Sequence, residues 1–281
     1  MNKWVKKRLK WVKKRLNKAA IYRNRRRGYG YCVAGIRVPI DTTILSPLME
    51  KKIATGRNQT KEFVGARGVI RSGDVVLELG GGLGVLSAAI RRHTRASRIV
   101  SFEPNPDLFD FIKRTHQQNA ATNIEVRQAV VMSGVRSSTI AFYRHPDVSS
   151  SSLYAPPDAP PEAVLGRVDV PVVKLEDLLI ELTPNVLIVD TEGGELELFE
   201  GIEDLGTIDR IVLELHPWIY GTSGVLNVFK ALCRLGFAYD ADLSFRYFVV
   251  LRRPLPSENP ELRGAEGFEP NQPGQQVGLL G

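Results

Sequence analysis

The residues of this chain that can do chemistry fall into two groups: a glycine loop with one distant carboxylate, and a later acid-rich turn with a histidine. The first group begins in Val75-Val76-Leu77-Glu78-Leu79-Gly80-Gly81-Gly82-Leu83-Gly84, an apolar run entering a glycine turn. Glycine tolerates unusual φ and lets the backbone approach a ligand where a Cβ would collide. Glu103 follows 19 residues after Gly84, at the end of a second apolar run. An acid at that place can accept hydrogen bonds from both hydroxyls of a ribose. Gln128-Ala129 closes a third run beside it, where an adenine would lie. The dinucleotide fingerprint would need a small residue three positions after Gly82, and Val85 stands there instead.

The second group is Asp190, Glu192, Glu195 and His216. Asp190 follows the apolar Leu187-Ile188-Val189, so it belongs at the carboxyl end of a strand, where ligands bind in open α/β sheets. His216 follows a similar run at the same edge, so Asp190, Glu192 and His216 are expected to converge on one pocket. A carboxylate or imidazole there can take a proton from a hydroxyl that is about to act as a nucleophile. The same three are competent metal ligands, but their spacing is not diagnostic and no metal is assigned. A Cys-x-x-Cys or Cys/His zinc pattern is absent from the sequence.

Alternating strand and helix signals must position these groups. Val75–Leu79, Arg98–Phe102, Ile124–Gln128, Val186–Val189 and Ile211–Leu215 read as strands, with helical stretches at Val85–Arg92 and from Pro106 to about Gln118. Short apolar strands separated by helices imply βαβ units and a mostly parallel sheet. Phe237–Tyr239 and Tyr247–Leu251 are too close for a crossover and predict a C-terminal antiparallel hairpin. Residues 145–161, with Ser149–Ser152 and five prolines, read as a long loop of the kind that is a lid, a binding loop or disordered.

Four stretches in order carry a resemblance: Leu77 to Gly84, Phe102-Glu103-Pro104-Asn105-Pro106, Val189-Asp190-Thr191-Glu192-Gly193-Gly194-Glu195, and Leu213-Glu214-Leu215-His216-Pro217. They resemble the FkbM family of S-adenosylmethionine-dependent methyltransferases over about residues 50–250. The Asp-x-Glu-Gly-x-Glu segment followed by Leu198-Phe199-Glu200-Gly201 is the most specific of them. The resemblance implies a Rossmann-like class I methyltransferase fold. It implies S-adenosylmethionine as cofactor, held by Glu78, Gly80, Gly82, Gly84, Glu103, Gln128, Ala129 and Asp190. It also implies methyl transfer to a hydroxyl of a small molecule or glycan, with Glu192 and His216 near the acceptor. Members often carry a Tyr-Glu pair before the first strand. Here Asn58-Gln59-Thr60-Lys61-Glu62 stands in its place, and only Glu62 matches. Enzymes of this fold that methylate base nitrogens carry an Asn/Asp-Pro-Pro-aromatic segment after the fourth strand. Asp190-Thr191-Glu192-Gly193 differs from it.

Charge is unevenly spread. Of 38 basic residues, 13 lie in residues 1–28, which hold no acid, so residues 29–281 carry 25 basic against 31 acidic side chains. A body that binds nucleic acid would be basic, so no specific nucleic-acid partner is expected. The arm repeats Trp4-Val5-Lys6-Lys7-Arg8-Leu9 as Trp11-Val12-Lys13-Lys14-Arg15-Leu16. At helical spacing this places Val5, Leu9, Val12 and Leu16 on one stripe and the two tryptophans beside it. That is the composition of a helix lying on an anionic membrane, or of a tail attracted to any polyanion. The arm is expected to be weakly structured in water. Residues 29–253 read as the methyltransferase domain and 254–281 as a disordered tail. Cys32 and Cys233 read as reduced, packed residues of a cytoplasmic protein, with peripheral membrane contact through the arm. The alternatives are a membrane- or polyanion-binding protein with an inactive methyltransferase-like domain, and a nicotinamide-dependent dehydrogenase.

Overall fold

A computed structural model describes residues 3–31, 33–55, 60–135, 137–145, 151–154 and 166–254, with side chains in the first helix at residue 14 and from 16 onward. The tail beyond 254 and most of the 145–161 loop lie outside the described residues, as does Cys32.

The chain order is α1 (Lys3–Arg27), β1 (Tyr29–Tyr31), β2 (Arg37–Pro39), α2 (Pro47–Ala54), α3 (Thr60–Val69), β3 (Val75–Leu79), α4 (Val85–His93) and β4 (Arg98–Phe102). It continues through α5 (Phe109–Gln118), β5 (Ile124–Arg127), β6 (Val130–Met132), β7 (Thr139–Arg144), β8 (Gly166–Lys174), α6 (Leu175–Leu182), β9 (Val186–Val189) and α7 (Glu195–Phe199). Last come β10 (Arg210–Glu214), α8 (Pro217–Arg234), β11 (Ala238–Tyr239) and β12 (Phe248–Arg252). The central sheet runs β11-β12-β10-β9-β3-β4-β5. Strands β5, β4, β3, β9 and β10 are parallel, and β12 enters antiparallel between β10 and β11. This is the Rossmann-like architecture of class I methyltransferases, with the antiparallel C-terminal hairpin that the sequence predicts. Strand order reverses between β3 and β9, so the crevice of the fold opens at their carboxyl ends.

Side-chain alternation explains why these strands are central. Val76, Val186, Ile188, Val212 and Val250 face one layer, packed with α3, α4 and α5. Leu77, Leu79, Val100, Leu187, Val189, Ile211 and Leu213 face the other, packed with α6, α7 and α8. Both faces are covered, so the strands read as continuous apolar runs.

A three-stranded sheet, β6-β8-β7, stands apart with its own small core of Val130, Met132, Phe142 and Val170. The sequence reading did not anticipate it. The helical arm is a second difference. Its backbone is helical over 25 residues, about 37 Å at 1.5 Å per residue, where weak structure was expected. Its last turns are tied down. Asn24 is buried, and the Arg25 guanidinium binds the buried Glu50 carboxylate at 2.6 and 2.9 Å. Among the described residues no helix is long and apolar enough to cross a membrane. Cys233 is exposed on α8, not packed.

At the end of the sheet away from the crevice, Arg210 and Asp74 form a buried bidentate pair at 2.6 and 3.0 Å. Arg210 also donates to the Val69 carbonyl at 2.8 Å, joining the start of β10 to the chain entering β3. Arg210 Nε also donates to Asp209 Oδ1 at 2.6 Å, so loss of Asp74 leaves the guanidinium one carboxylate in place of two. Asp74→Ala should therefore lower unfolding stability in urea by about 1–3 kcal/mol, the cost of buried donors left without a partner. The folded variant should keep its ligand affinity, since the pair lies at the far end of the strands.

Candidate active site

The β3–α4 turn forms one wall of the crevice. Gly80, Gly82 and Gly84 all have positive φ, at 94°, 53° and 71°. Gly80 is the tightest: a Cβ there would lie 1.8 Å from the Asp190 carbonyl oxygen. The Gly82 N–H donates to Glu103 Oε2 at 2.7 Å, and the Asn105 N–H donates to Oε1 at 2.8 Å. Asn105 is itself fixed as a helix cap, its Oδ1 accepting from the Asp107 N–H at 3.1 Å beside Pro106. Glu103 is 5% exposed, and burial raises its pKa to about 7 against the two backbone donors.

Glu103, Gly80 and Gly82 line one cavity of about 300 Å³, and Leu108, Ala129, Val130 and Val131 give it apolar wall. These features fit an adenosine. The glycine floor has no Cβ to collide, the carboxylate oxygens retain lone pairs for a diol, and the apolar wall suits a base. Three residues named from the sequence stand off this wall. Glu78 is 1% exposed beneath the loop, on the α4 side of the sheet, with no hydrogen bond to either oxygen; burial raises it to about 7. Gly84 backs onto His116, whose Nε2 would lie 3.0 Å from an added Cβ. That imidazole meets Ser87 Oγ at 3.1 Å and is lowered by burial to about 4, so it is neutral. Gln128 is exposed, while the next side chain, Ala129, turns inward.

The other wall is the turn after β9. The Asp190 N–H donates to the Leu79 carbonyl at 2.9 Å, so the two walls share a backbone hydrogen bond. Glu192 has φ 49°, a left-handed conformation uncommon for a residue with a Cβ. Its carbonyl accepts from Ser152 Oγ at 2.8 Å. Ser151 and Leu153 line the same cavity, so the described part of the 145–161 segment does cover the site.

Asp190, Glu192 and His216 do converge. His216 is 1% exposed. Its Nε2 lies 3.4 Å from Glu192 Oε2 and 3.6 Å from Asp190 Oδ1, and its Nδ1 lies 3.2 Å from Glu195 Oε1. Asp190 and Glu192 line the cavity, whereas the imidazole stands behind them. Burial alone would lower the His216 pKa, but the bond to Glu195 and the three carboxylates outweigh it and push it up to about 9. Burial, with neighbouring acids, raises Asp190 to about 7 and Glu192 to about 8.

Three acids of this region were given no site role from the sequence, although Glu195 and Glu62 were noted there. Glu195 is fully buried, and its Oε1 accepts from Thr191 N–H, Thr191 Oγ1 and Gly193 N–H at 2.9–3.3 Å besides meeting His216. Glu62 and Glu214 line the cavity. The available signals were the second acid of Glu192-Gly-Gly-Glu195, the lone match at Glu62, and the acid two residues before His216.

The Glu103 geometry generates a pH test. An ionised carboxylate accepts from both hydroxyls of a diol, whereas a protonated one must give up its proton first. Above its raised pKa of about 7 the site is ready. Below it, affinity falls by up to about tenfold per pH unit. Calorimetry with S-adenosylhomocysteine should show binding at least about tenfold weaker at pH 5.5 than at pH 8. Glu103→Gln should bind weakly and show little of this slope.

Comparison with known proteins identifies the family. The FkbM methyltransferase domain pattern matches residues 74–239. "Methyltransferase 1" of Beauveria bassiana is 27% identical over 160 residues, 50% of this chain and 64% of that protein. "Hexuronic acid methyltransferase AglP" of Haloferax volcanii is 26% identical over 150 residues, 52% of this chain and 57% of that protein. The chain thus spans less than two thirds of the length of these relatives. Among solved structures, a precorrin-6y C5,15-methyltransferase from Geobacter metallireducens aligns at TM-score 0.40 and 13% identity, over 69% of this chain and 86% of that one. With more than half of its length matched by the family pattern, the chain belongs to the FkbM methyltransferases, whose methyl donor is S-adenosylmethionine.

Proposed function

We propose that the chain transfers a methyl group from S-adenosylmethionine to a hydroxyl oxygen of a small molecule or glycan. The observation that carries this reading is a single cavity with a nucleoside-fitting end at Gly80, Gly82 and Glu103 and an acid-lined end at Asp190, Glu192 and Glu214. The donor, when bound, supplies a methyl group already activated on a sulfonium. The protein's tasks are therefore alignment and removal of the acceptor's proton. Direct donor contacts fall to Gly80, Gly82, Glu103 and Ala129, with Glu78 and Gly84 shaping the loop from behind. Glu192 is the cavity acid assigned to receive the hydroxyl proton. His216 positions it: the imidazole meets Asp190, Glu192 and Glu195 at once and holds the left-handed turn against the repulsion of its own acids. The hexuronic acid relative supports a sugar acid or glycan among the candidate acceptors.

Glu192→Gln should keep S-adenosylhomocysteine affinity and lose roughly 10²-fold in kcat, the usual size of a general-base effect. His216→Asn should lower kcat through a misplaced Glu192. Unchanged turnover in both variants, on an acceptor found by screening hydroxylated compounds, removes them from the site. Donor binding without turnover on any acceptor favours the inactive, surface-binding alternative.

We also infer that the arm carries the body to anionic membranes. The tandem Trp-Val-Lys-Lys-Arg-Leu units and the uncompensated positive charge support this, each basic residue near such a surface contributing about 1 kcal/mol. The chain should co-sediment with anionic but not neutral vesicles, keeping a salt-resistant part from the tryptophans. A chain lacking residues 1–28 should stay in solution. Equal sedimentation of both sinks the reading, and complete loss at moderate salt reduces the arm to a polyanion-attracted tail.

A further inference from the structure

We propose that Glu62, Asp190 and Glu214 form a divalent-cation site at the acid-lined end of the cavity. The three carboxylates come from separate elements: Glu62 from α3, Asp190 from the end of β9 and Glu214 from the end of β10. One oxygen from each lies within 4.8 Å of the other two. Three oxygens set evenly around one Ca²⁺ lie roughly 4.0–4.5 Å apart, and about 3.5–3.6 Å apart around Mg²⁺. Separations within 4.8 Å let one cation gather the three carboxylates with an inward movement of under about an ångström each.

A second observation points into this site. Glu62 is 6% exposed, lines the cavity, and leaves Oε2 without a hydrogen-bond partner. Asp190 Oδ1 also accepts no hydrogen bond. Of the acids buried elsewhere, Glu50 has Arg25 and Asp74 has Arg210, while Glu78 is unpartnered but lies beneath the glycine loop and does not line the cavity. Among the described residues the cavity wall carries five acids, Glu62, Glu103, Asp190, Glu192 and Glu214, against one cationic side chain, Lys52. Buried carboxylates this close repel one another unless a proton or a cation lies between them.

Oxygen-only ligands select hard cations of the Mg²⁺, Mn²⁺ and Ca²⁺ class. Asp190, Glu192 and His216 also come within 4.8 Å of one another, but His216 is engaged by Glu195 and stands behind the wall. The Glu62 set faces the cavity. Three protein ligands leave coordination positions for an acceptor oxygen, and a hydroxyl bound to a divalent cation loses its proton more readily. This catalytic use rests on the proposed methyl transfer. The binding site does not, so it is tested alone.

The experiment is titration of the metal-free full-length chain with Mn²⁺, followed by the electron paramagnetic resonance of the free ion, with no acceptor present. One Mn²⁺ should bind per chain, and Mg²⁺ or Ca²⁺ should compete. Glu62→Gln and Glu214→Gln should each weaken Mn²⁺ binding by about tenfold or more, the loss of one charged ligand. Asp110→Asn, on the exposed face of α5, should leave it unchanged. S-adenosylhomocysteine affinity without metal should stay within about twofold in Glu62→Gln, which also reports an intact fold. Should a variant fail to fold, a rise in the wild-type melting temperature with Mn²⁺, absent with K⁺ at equal ionic strength, carries the same expectation. Three results overturn the proposal: no saturable Mn²⁺ uptake by the wild type, equal uptake by folded Glu62→Gln and Glu214→Gln, or displacement of Mn²⁺ by S-adenosylhomocysteine. The first leaves a proton shared by Glu62 and Glu214, and the last gives the acids to the donor's ammonium group.

Discussion

One oxygen of Glu195 organises the acid-rich turn after β9. Oε1 gathers the Thr191 amide and hydroxyl, the Gly193 amide and the His216 imidazole around a fully buried point. A buried carboxylate is costly unless it is hydrogen-bonded and paired; here the turn supplies hydrogen bonds to Oε1 and His216 the pairing, while Oε2 has no partner. The dependence runs both ways. The three N–H and O–H donors come from a segment that could adopt other turns, and convergence on a single acceptor selects one of them. That choice holds Glu192 in the left-handed region and fixes the side of the turn from which its carboxylate projects. Without Glu195, His216 would face Asp190 and Glu192 alone, and the turn would lose the anchor of its imidazole.

The site is an exercise in placing charges that repel. A parallel sheet gathers strand ends at the topological switch point, so acids that follow different strands are forced together there. Two remedies are visible. His216 supplies positive charge from behind, and burial shifts the remaining balance by raising the pKa values of Asp190 and Glu192. Burial, with Asp190 and Glu214 close by, likewise raises Glu62, which enters from α3 on the other side of the crevice. The glycine-loop end is calmer: Glu103 is met by two backbone amides, its neighbours are apolar, and the adjacent imidazole of His116 is neutral.

Much of this was legible in the sequence because it is written in local patterns. Val75–Leu79, Arg98–Phe102 and Val186–Val189 are the strands that their apolar runs predict, and β10 and β12 differ by one residue at each end. The glycine loop and Glu103 were found through spacing, since both sit at the ends of those runs. What was not legible depends on partners distant in sequence. The β6-β8-β7 sheet pairs Val130 with Val172 and Thr139 with Pro171, a register set by contact and not by a clean alternation. His216 was placed at the right edge, but that its ring lies behind the wall follows from Glu195, 21 residues earlier. The Gln128-Ala129 pair is a simpler case. A strand end names the place, and the alternation decides which of the two side chains looks inward. The arm was expected to be loose because no acid balances its lysines, yet Glu50, in the body, anchors its last turn.

The contact between Gly80 and the Asp190 carbonyl has a bearing on how this fold diversifies. The two loops that meet there are held at backbone distance, so neither can accept a bulkier residue, an insertion or a shifted register without moving the other. Under the proposed methyl transfer, variation in acceptor choice is pushed outward, to parts that touch the cavity without sharing that contact or the apolar wall of Ala129, Val130 and Val131: Ser151 and Leu153, and the α2–α3 wall. A library intended to change the acceptor while keeping the donor belongs in those segments, and the switch point itself is best left untouched.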